Sequence, residues 1–506
     1  MLVLKLISNL YIYLYKRKHF FYINHMRKNM LKLNDSKTRF VLLFLLIAIN
    51  SFSQTFFKYK ISKPYCVFNF METSIGSHGT SITLEEFIQE NTKNDIEFRK
   101  LSEEYKKINL YNQFKFDGFP EDRNNYGNSF DIISMNAVNS SNLEEFKQKN
   151  LGLITISDNE KLYEILKKAE KLYDKIIWKE SEKKLKSQLK ELSKYEKSNA
   201  SIFQKFNRFY NSSWTEKTPF NVVIYPIPGS KGNTTATPHI NALCVSILTE
   251  DKDRIGANGV ALHEMCHVLF QNQSKEVQNQ LDNYFKENQS IYSKQAYTYI
   301  NEALATALGN GYAYKEMNGK IDESEWYADE TINGFAKAIY PLVEDYLQKN
   351  KTIDKEFIDK SIQLFSEKFP NSIYNYAQSL NKTIVYYDDF EGNELVNKLS
   401  KYFQISNINQ SSPILHPYSI ESITSNNENQ FFIIDTNQNE TLKSLSEYFP
   451  EINEIKFEKT PLNLSFIDGK KRTIIMLVLN NKSELDLELK KMKEKQFFNS
   501  KQLIQK

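Results

Sequence analysis

Val260-Ala261-Leu262-His263-Glu264-Met265-Cys266-His267-Val268-Leu269 is the stretch whose reading decides the fold. It carries His-Glu-x-x-His in a run free of proline and of any other charge. On a helix, residues four apart share a face, so His263 and His267 can grip one Zn²⁺. Glu264 follows the first His directly. There it can serve as general base toward a metal-activated water without being a ligand itself. Val260, Ala261, Met265, Cys266, Val268 and Leu269 are apolar, which suits a helix buried through a domain. The competing account is a core helix whose two His bond to backbone, and the scarcity of His, seven in 506 residues, weighs against it.

A catalytic zinc site takes three protein ligands and leaves one position open. A third His six residues on would need Gly at 270 and His at 273, but the chain has Phe270 and Gln273. The other route is a Glu on a later helix. Tyr299 to Leu308 reads as an amphipathic helix with Ile300, Ala303, Leu304, Ala307 and Leu308 on its core face, stopping at Gly309-Asn310-Gly311. Glu302 is the lone charge from Tyr297 to Tyr314. A carboxylate there is costly to bury unless it is paired or bound to metal. Ala303, Ala305 and Ala307 leave room for close packing on the His helix. Glu276, Asp282 and Glu287 compete for the role, from a more polar helix.

The pair His263-Glu264-Met265-Cys266-His267 and Asn301-Glu302-Ala303 resembles the gluzincin metallopeptidases, in the thermolysin-type arrangement. The likeness spans roughly residues 220–345. It implies His263, His267 and Glu302 as zinc ligands and Glu264 as the base. It departs at Thr306, where thermolysin-like enzymes carry an Asp that orients a zinc His, so the groups behind the ligands differ.

Working outward, Phe220-Asn221-Val222-Val223-Ile224-Tyr225 reads as a strand ending at Pro226, and Thr235–Leu248 as a second. Gly256, Asn258 and Gly259 read as a turn into the His helix. Asn241-Ala242 resembles the Asn-Ala of the thermolysin-type edge strand. The expectation is therefore that a peptide substrate pairs along the strand holding Asn241 and Ala242. An oxyanion donor is also needed. Tyr327, at the start of a helix read as Glu325–Gln348, is preferred over Tyr312, Tyr314 and His239.

Composition frames these readings. The net charge of +4 supports no nucleic-acid or membrane-surface role. The abundance of Lys, Asn, Ile, Tyr and Phe reads as the coding bias of an AT-rich bacterial genome. Arg27, Lys28, Lys32, Lys37 and Arg39 precede the apolar run Phe40–Ile49, and Ser51-Phe52-Ser53 follows it. That is a signal-peptide pattern, with an apolar core too short for a membrane span. It implies a secreted or periplasmic protein with no stable span after signal removal, and the rival is an uncleaved anchor. Cys66, Cys244 and Cys266 make no disulfide framework.

Four regions emerge: a leader at 1–53, a mostly helical, charge-rich region at 54–215, a zincin-like catalytic region at 216–375, and a small α/β domain at 376–506. Within the second, Tyr65–Phe70 reads as strand-like. In the last, apolar runs at Ile384–Tyr387, Phe431–Ile434 and Thr473–Leu479 each precede a helix, with no Gly-rich phosphate loop. The expected fold is α+β, predominantly helical, with a small sheet beside the zinc helix. The expected function is an exported zinc metallopeptidase. The rivals are a zinc hydrolase of a non-peptide amide and an inactive zincin-like binding or scaffold protein.

Overall fold

Two larger sheets, a two-stranded one and the helices packed around them make an α+β protein. The computed structural model describes residues 56–498, apart from 78, 121–122, 124–125, 404, 406 and 454–459. The leader reading lies outside the described residues. From Phe57 the chain belongs to one compact unit. No described helix is long and apolar enough to cross a membrane.

Strand β1 (Phe57–Lys60) leads into helix α1 (Lys63–Ser74). The strand-like reading of Tyr65–Phe70 is therefore wrong. Those residues are buried on every side, so their periodicity carries no signal, while the Ser62 cap and Pro64 in the first turn mark a helix start. The helical region follows as α2 (Ile82–Thr92) and α3 (Ile96–Tyr105). A two-stranded hairpin comes next, β2 (Gln113–Lys115) with β3 (Tyr126–Asn128). Beyond it lie α4 (Ser129–Val138), α5 (Leu143–Lys149), α6 (Ile156–Tyr173), α7 (Lys179–Leu192) and α8 (Glu196–Tyr210).

The first sheet is completed by β4 (Phe220–Ile227), β5 (Ala236–His239) and β6 (Ala242–Leu248), in the order β1-β4-β6-β5. β1, β4 and β6 are parallel, and β5 runs antiparallel at the edge. Pro226 is tolerated in β4 because β1 reaches only as far as Val223, which leaves one side of β4 free there. On one face Val223, Tyr225, Ala242 and Cys244 pack with Tyr65 and Phe68 of α1 and Ile165 of α6. Alternate residues turn to the opposite face.

Helix α9 (Arg254–Gln271) packs against β5 and β6. It starts earlier than the sequence suggested. Asp253 caps it through Gly256 N–H at 2.8 Å, so Gly256 and Gly259 lie inside the helix rather than in a turn. Helices α10 (Lys275–Glu287) and α11 (Ser293–Thr306) follow. The chain does not stop at Gly309. It widens into a π-helical segment, Ala307–Ala313, and runs on as α12 (Tyr314–Asn318) to Gly319, whose φ is +79°. Helices α13 (Glu330–Gln348) and α14 (Lys355–Lys368) close this part. Asp329 caps α13, so Tyr327 lies in the preceding loop and not on the helix.

The second sheet holds β7 (Lys382–Tyr387), β8 (Asn407–Ser411), β9 (Asn429–Ile434), β10 (Leu462–Ile467) and β11 (Thr473–Val478), in the order β10-β11-β9-β7-β8. All neighbours are parallel except β10 with β11. Helix α15 (Tyr376–Asn381) precedes it, and α16 (Gly392–Tyr402), α17 (Pro417–Ser425), α18 (Gln438–Leu445) and α19 (Leu485–Lys495) cover it. Leu395 of α16 and Leu489 of α19 pack on Val385 and Phe431 on one face. Ile423 of α17 and Leu442 of α18 pack on Ile384 and Phe432 on the other. This layer is tied to the first. Lys471 donates to Gln289 O at 3.0 Å. Lys294 of α11 donates to Asn429 Oδ1 of β9 at 3.3 Å. The three cysteines are free, buried thiols.

Candidate metal centre

Two helices and one glycine contact build the site. His263, Glu264 and His267 lie mid-way along α9, and Glu302 lies in the second half of α11. A Cβ built on Gly309 would lie 2.6 Å from His263 N and 2.8 Å from Gly259 O. The π-helical segment thus meets α9 backbone to backbone, at the turn that bears the first His. A π-helical turn is a rare local widening often found at functional sites.

The three ligand candidates converge. His263 Nε2 and His267 Nε2 are 3.1 Å apart. Glu302 Oε1 lies 3.4 Å from His267 Nε2, and Glu302 Oε2 lies 3.5 Å from His263 Nε2. Tetrahedral ligands about 2.1 Å from a zinc ion are separated by about 3.4 Å, so the spacing matches a zinc coordination shell. Glu302 Oε2 is buried and makes no hydrogen bond. A cation between the three groups would satisfy it. Among the described residues, this is the one group of three His, Cys, Asp or Glu side chains with ligand atoms within 4.8 Å of one another. Glu276, Asp282 and Glu287 are not part of it, and Asp282 instead pairs with Lys286 at 2.7 Å.

The atoms behind the ligands are unequal. His267 Nδ1 donates to Asn301 Oδ1 at 3.3 Å, which turns Nε2 toward His263 and Glu302. His263 Nδ1 is buried with no partner, and so is the hydroxyl of Thr306. The departure at Thr306 therefore coincides with a His lacking a hydrogen-bonded anchor. Its support is the Tyr327 ring, stacked at 5.9 Å and 24°. Asn301 belongs to the quoted motif, but its role follows only from the distance.

Electrostatics divide the groups further. Burial raises the pKa of Glu264, opposed by the nearby His263 and His267. Glu264 is 7 % exposed, close to the ligands but not among them. Burial also works against ionising Glu302, yet His267 and His263 outweigh it and hold the carboxyl well below its usual range. Burial would lower His267, but Glu302 outweighs it and lifts the pKa to about 9. Burial, then the charges of Glu302 and Glu264, push the Tyr327 phenol upward, so it stays a donor at neutral pH.

Of the other tyrosines considered, Tyr312 bonds Lys205 at 2.5 Å and packs on Phe206. Tyr314 has Asp322 and Asp253 as its electrostatic neighbours. Neither joins the site. His239 ends β5, buried, with Nδ1 2.8 Å from Asp131 Oδ1, and it is near enough to Glu264 to lower that group's pKa. A cleft of about 350 Å³ opens beside Tyr327, lined also by Glu325, Glu330, Asn333 and Phe369.

The structure corrects the substrate-strand assignment. Thr235–Leu248 is not one strand but a hairpin turning at Ile240-Asn241, with Ile240 at φ +58°. Ala242 is fully buried and begins β6, which pairs with β4 on one side and β5 on the other. Asn241 sits in the turn and donates to Pro219 O at 2.9 Å. Neither residue offers a free backbone edge. The free edge belongs to β5. Ser246 N–H donates to Thr235 O at 2.9 Å, so by the alternation of an antiparallel ladder Ala236 and Pro238 turn their backbone groups outward. Pro238 lacks an N–H, which fits its outward position and was a readable edge signal.

No protein-family model, curated protein or solved structure matches the chain significantly.

Proposed function

We propose that the chain is a zinc metallopeptidase with a zincin-like catalytic half, acting on peptides or proteins. The observation that carries this reading is the convergence of His263, His267 and Glu302 at zinc-ligand spacing, with buried Glu264 beside them. A zinc ion held by those three residues supplies Lewis acidity, which acidifies water and polarises a carbonyl. Glu264 takes the proton from the attacking water and delivers it to the leaving amine. Tyr327, kept protonated, donates to the oxygen of the carbonyl under attack. Ala236 N–H, Ala236 C=O and Pro238 C=O present a backbone edge on which an extended peptide can pair, above α9. Such pairing reads backbone, so sequence preference falls to side pockets such as the cleft beside Tyr327.

The test pairs metal analysis with peptide digestion. Wild-type protein is expected to hold one zinc per chain and to cleave a peptide library. Glu264→Gln keeps the zinc and loses about 10²–10⁴-fold in turnover. Glu302→Gln loses metal affinity by about tenfold or more while α11 stays folded. Full turnover in Glu264→Gln, or unchanged zinc affinity in Glu302→Gln, overturns the assignment.

A further inference from the structure

The second sheet carries a switch in strand order that the metal centre does not use. Strand β7 leads through α16 on one face to β8, on one side of it. Strand β8 leads through α17 on the opposite face to β9, on the other side of β7. The two connections diverge at the carboxyl ends of β7 and β9. In open parallel sheets, ligands bind at such a switch point.

The residues that follow these strands are Asp388 and Asp389 after β7, and Asp435 after β9. Lys482 comes shortly after β11. Asp435 is only 6 % exposed, and its Oδ1 has no hydrogen-bond partner. β7 and β9 pair at Tyr387 and Ile433, which brings Asp435 beside Asp389 two residues on, and Lys482, Asp388 and Asp389 are the electrostatic neighbours of its carboxyl. A buried carboxylate oxygen without a partner is costly. Asp388 uses Oδ1 to accept from Ile414 N–H at 2.9 Å, which fixes the loop. Asp389 is exposed and pairs with Lys482 at 2.6 Å. Lys482 pairs with the exposed Asp389, and its further electrostatic neighbours are Asp435 and Glu394.

We propose that Asp388, Asp389 and Asp435, directly or through coordinated water, hold a hard divalent cation of the Mg²⁺ class at this switch point. The donors are all oxygens, which excludes the softer chemistry of the His site. The cluster is more open than the His263 group, which suits an ion that takes one or two carboxylates directly and keeps several waters. Those waters leave room for an anionic group, with Lys482 alongside to receive it.

The test uses Mn²⁺ as a paramagnetic probe, titrated into zinc-loaded full-length protein and followed by the electron paramagnetic resonance of the free ion. One Mn²⁺ per chain beyond the zinc is expected, displaced by excess Mg²⁺ and retained in His267→Ala. Asp435→Asn weakens it about tenfold or more. Asp389→Asn, at an exposed position, weakens it too and serves if the buried variant fails to fold. Three results overturn the proposal. They are equal Mn²⁺ binding by wild type and both Asp variants, no binding at millimolar Mn²⁺, and binding that vanishes with His267→Ala.

Discussion

His267 and Glu302 hold each other in their charged forms, and that coupling has a measurable cost for metal binding. The folded pKa of His267, about 9, lies above the ordinary imidazole value of about 6.5. In metal-free protein the ring is therefore protonated at neutral pH. Its pairing stabilises the fold fully below about pH 6.5, and that contribution is lost as pH rises through about 9. Zinc must displace this proton. Affinity is thus expected to rise with pH up to about 9, and calorimetric titration at pH 7 in buffers of different ionisation enthalpy should report about one proton released. Heats independent of buffer would contradict the coupling. At this scale the sequence is informative where chemistry is local. The i, i+4 spacing is enough to put both His on one face, and Glu302 stands out as a lone charge in an apolar run. The bare Nδ1 of His263 was not legible, because a missing partner is a property of the neighbours.

Elements meet where glycines allow it. Gly309 reads in sequence as a helix terminator, yet it lies inside a continuous helical path and faces the backbone of His263. Gly309→Ala is expected to cost about 1–3 kcal/mol in urea denaturation and to weaken zinc retention against a chelator. Wild-type behaviour in both assays would remove the close contact from the account. The hairpin β5–β6 escaped the sequence reading for a related reason. Its turn uses Ile240, a β-branched residue at positive φ, where Asn-Gly or Asp-Gly is the usual signal. The consequence for substrate is a test on the true edge. Ala236→Pro removes one outward N–H while leaving the pairing with β6 intact. It should raise KM about fivefold, the worth of one backbone hydrogen bond, with zinc content unchanged. An unchanged KM would mean that peptides do not lie on β5.

Across the whole molecule, the strands buried on both faces were readable as apolar runs: β4, β7, β9 and β11. β8 and β10 were not. β8, Asn407–Ser411, is a polar edge with no apolar run to mark it. β10 has no helix following it, so a strand-then-helix pattern passes over it. The sequence suggested a small α/β domain at the C-terminus, and the hydrogen bonds of Lys471 and Lys294 fasten that layer to the chain around α11. Lys294 sits about two turns before Glu302 on the same helix. This fastening makes the melting behaviour a shared property. Heat that loosens the second sheet must also release the helix that carries a metal ligand, so calorimetry should record a single endotherm. Zinc bound at one end then raises the temperature at which the distant strands come apart, and chelation lowers the whole peak. Two endotherms, with only one shifted by the chelator, would show two parts that melt on their own.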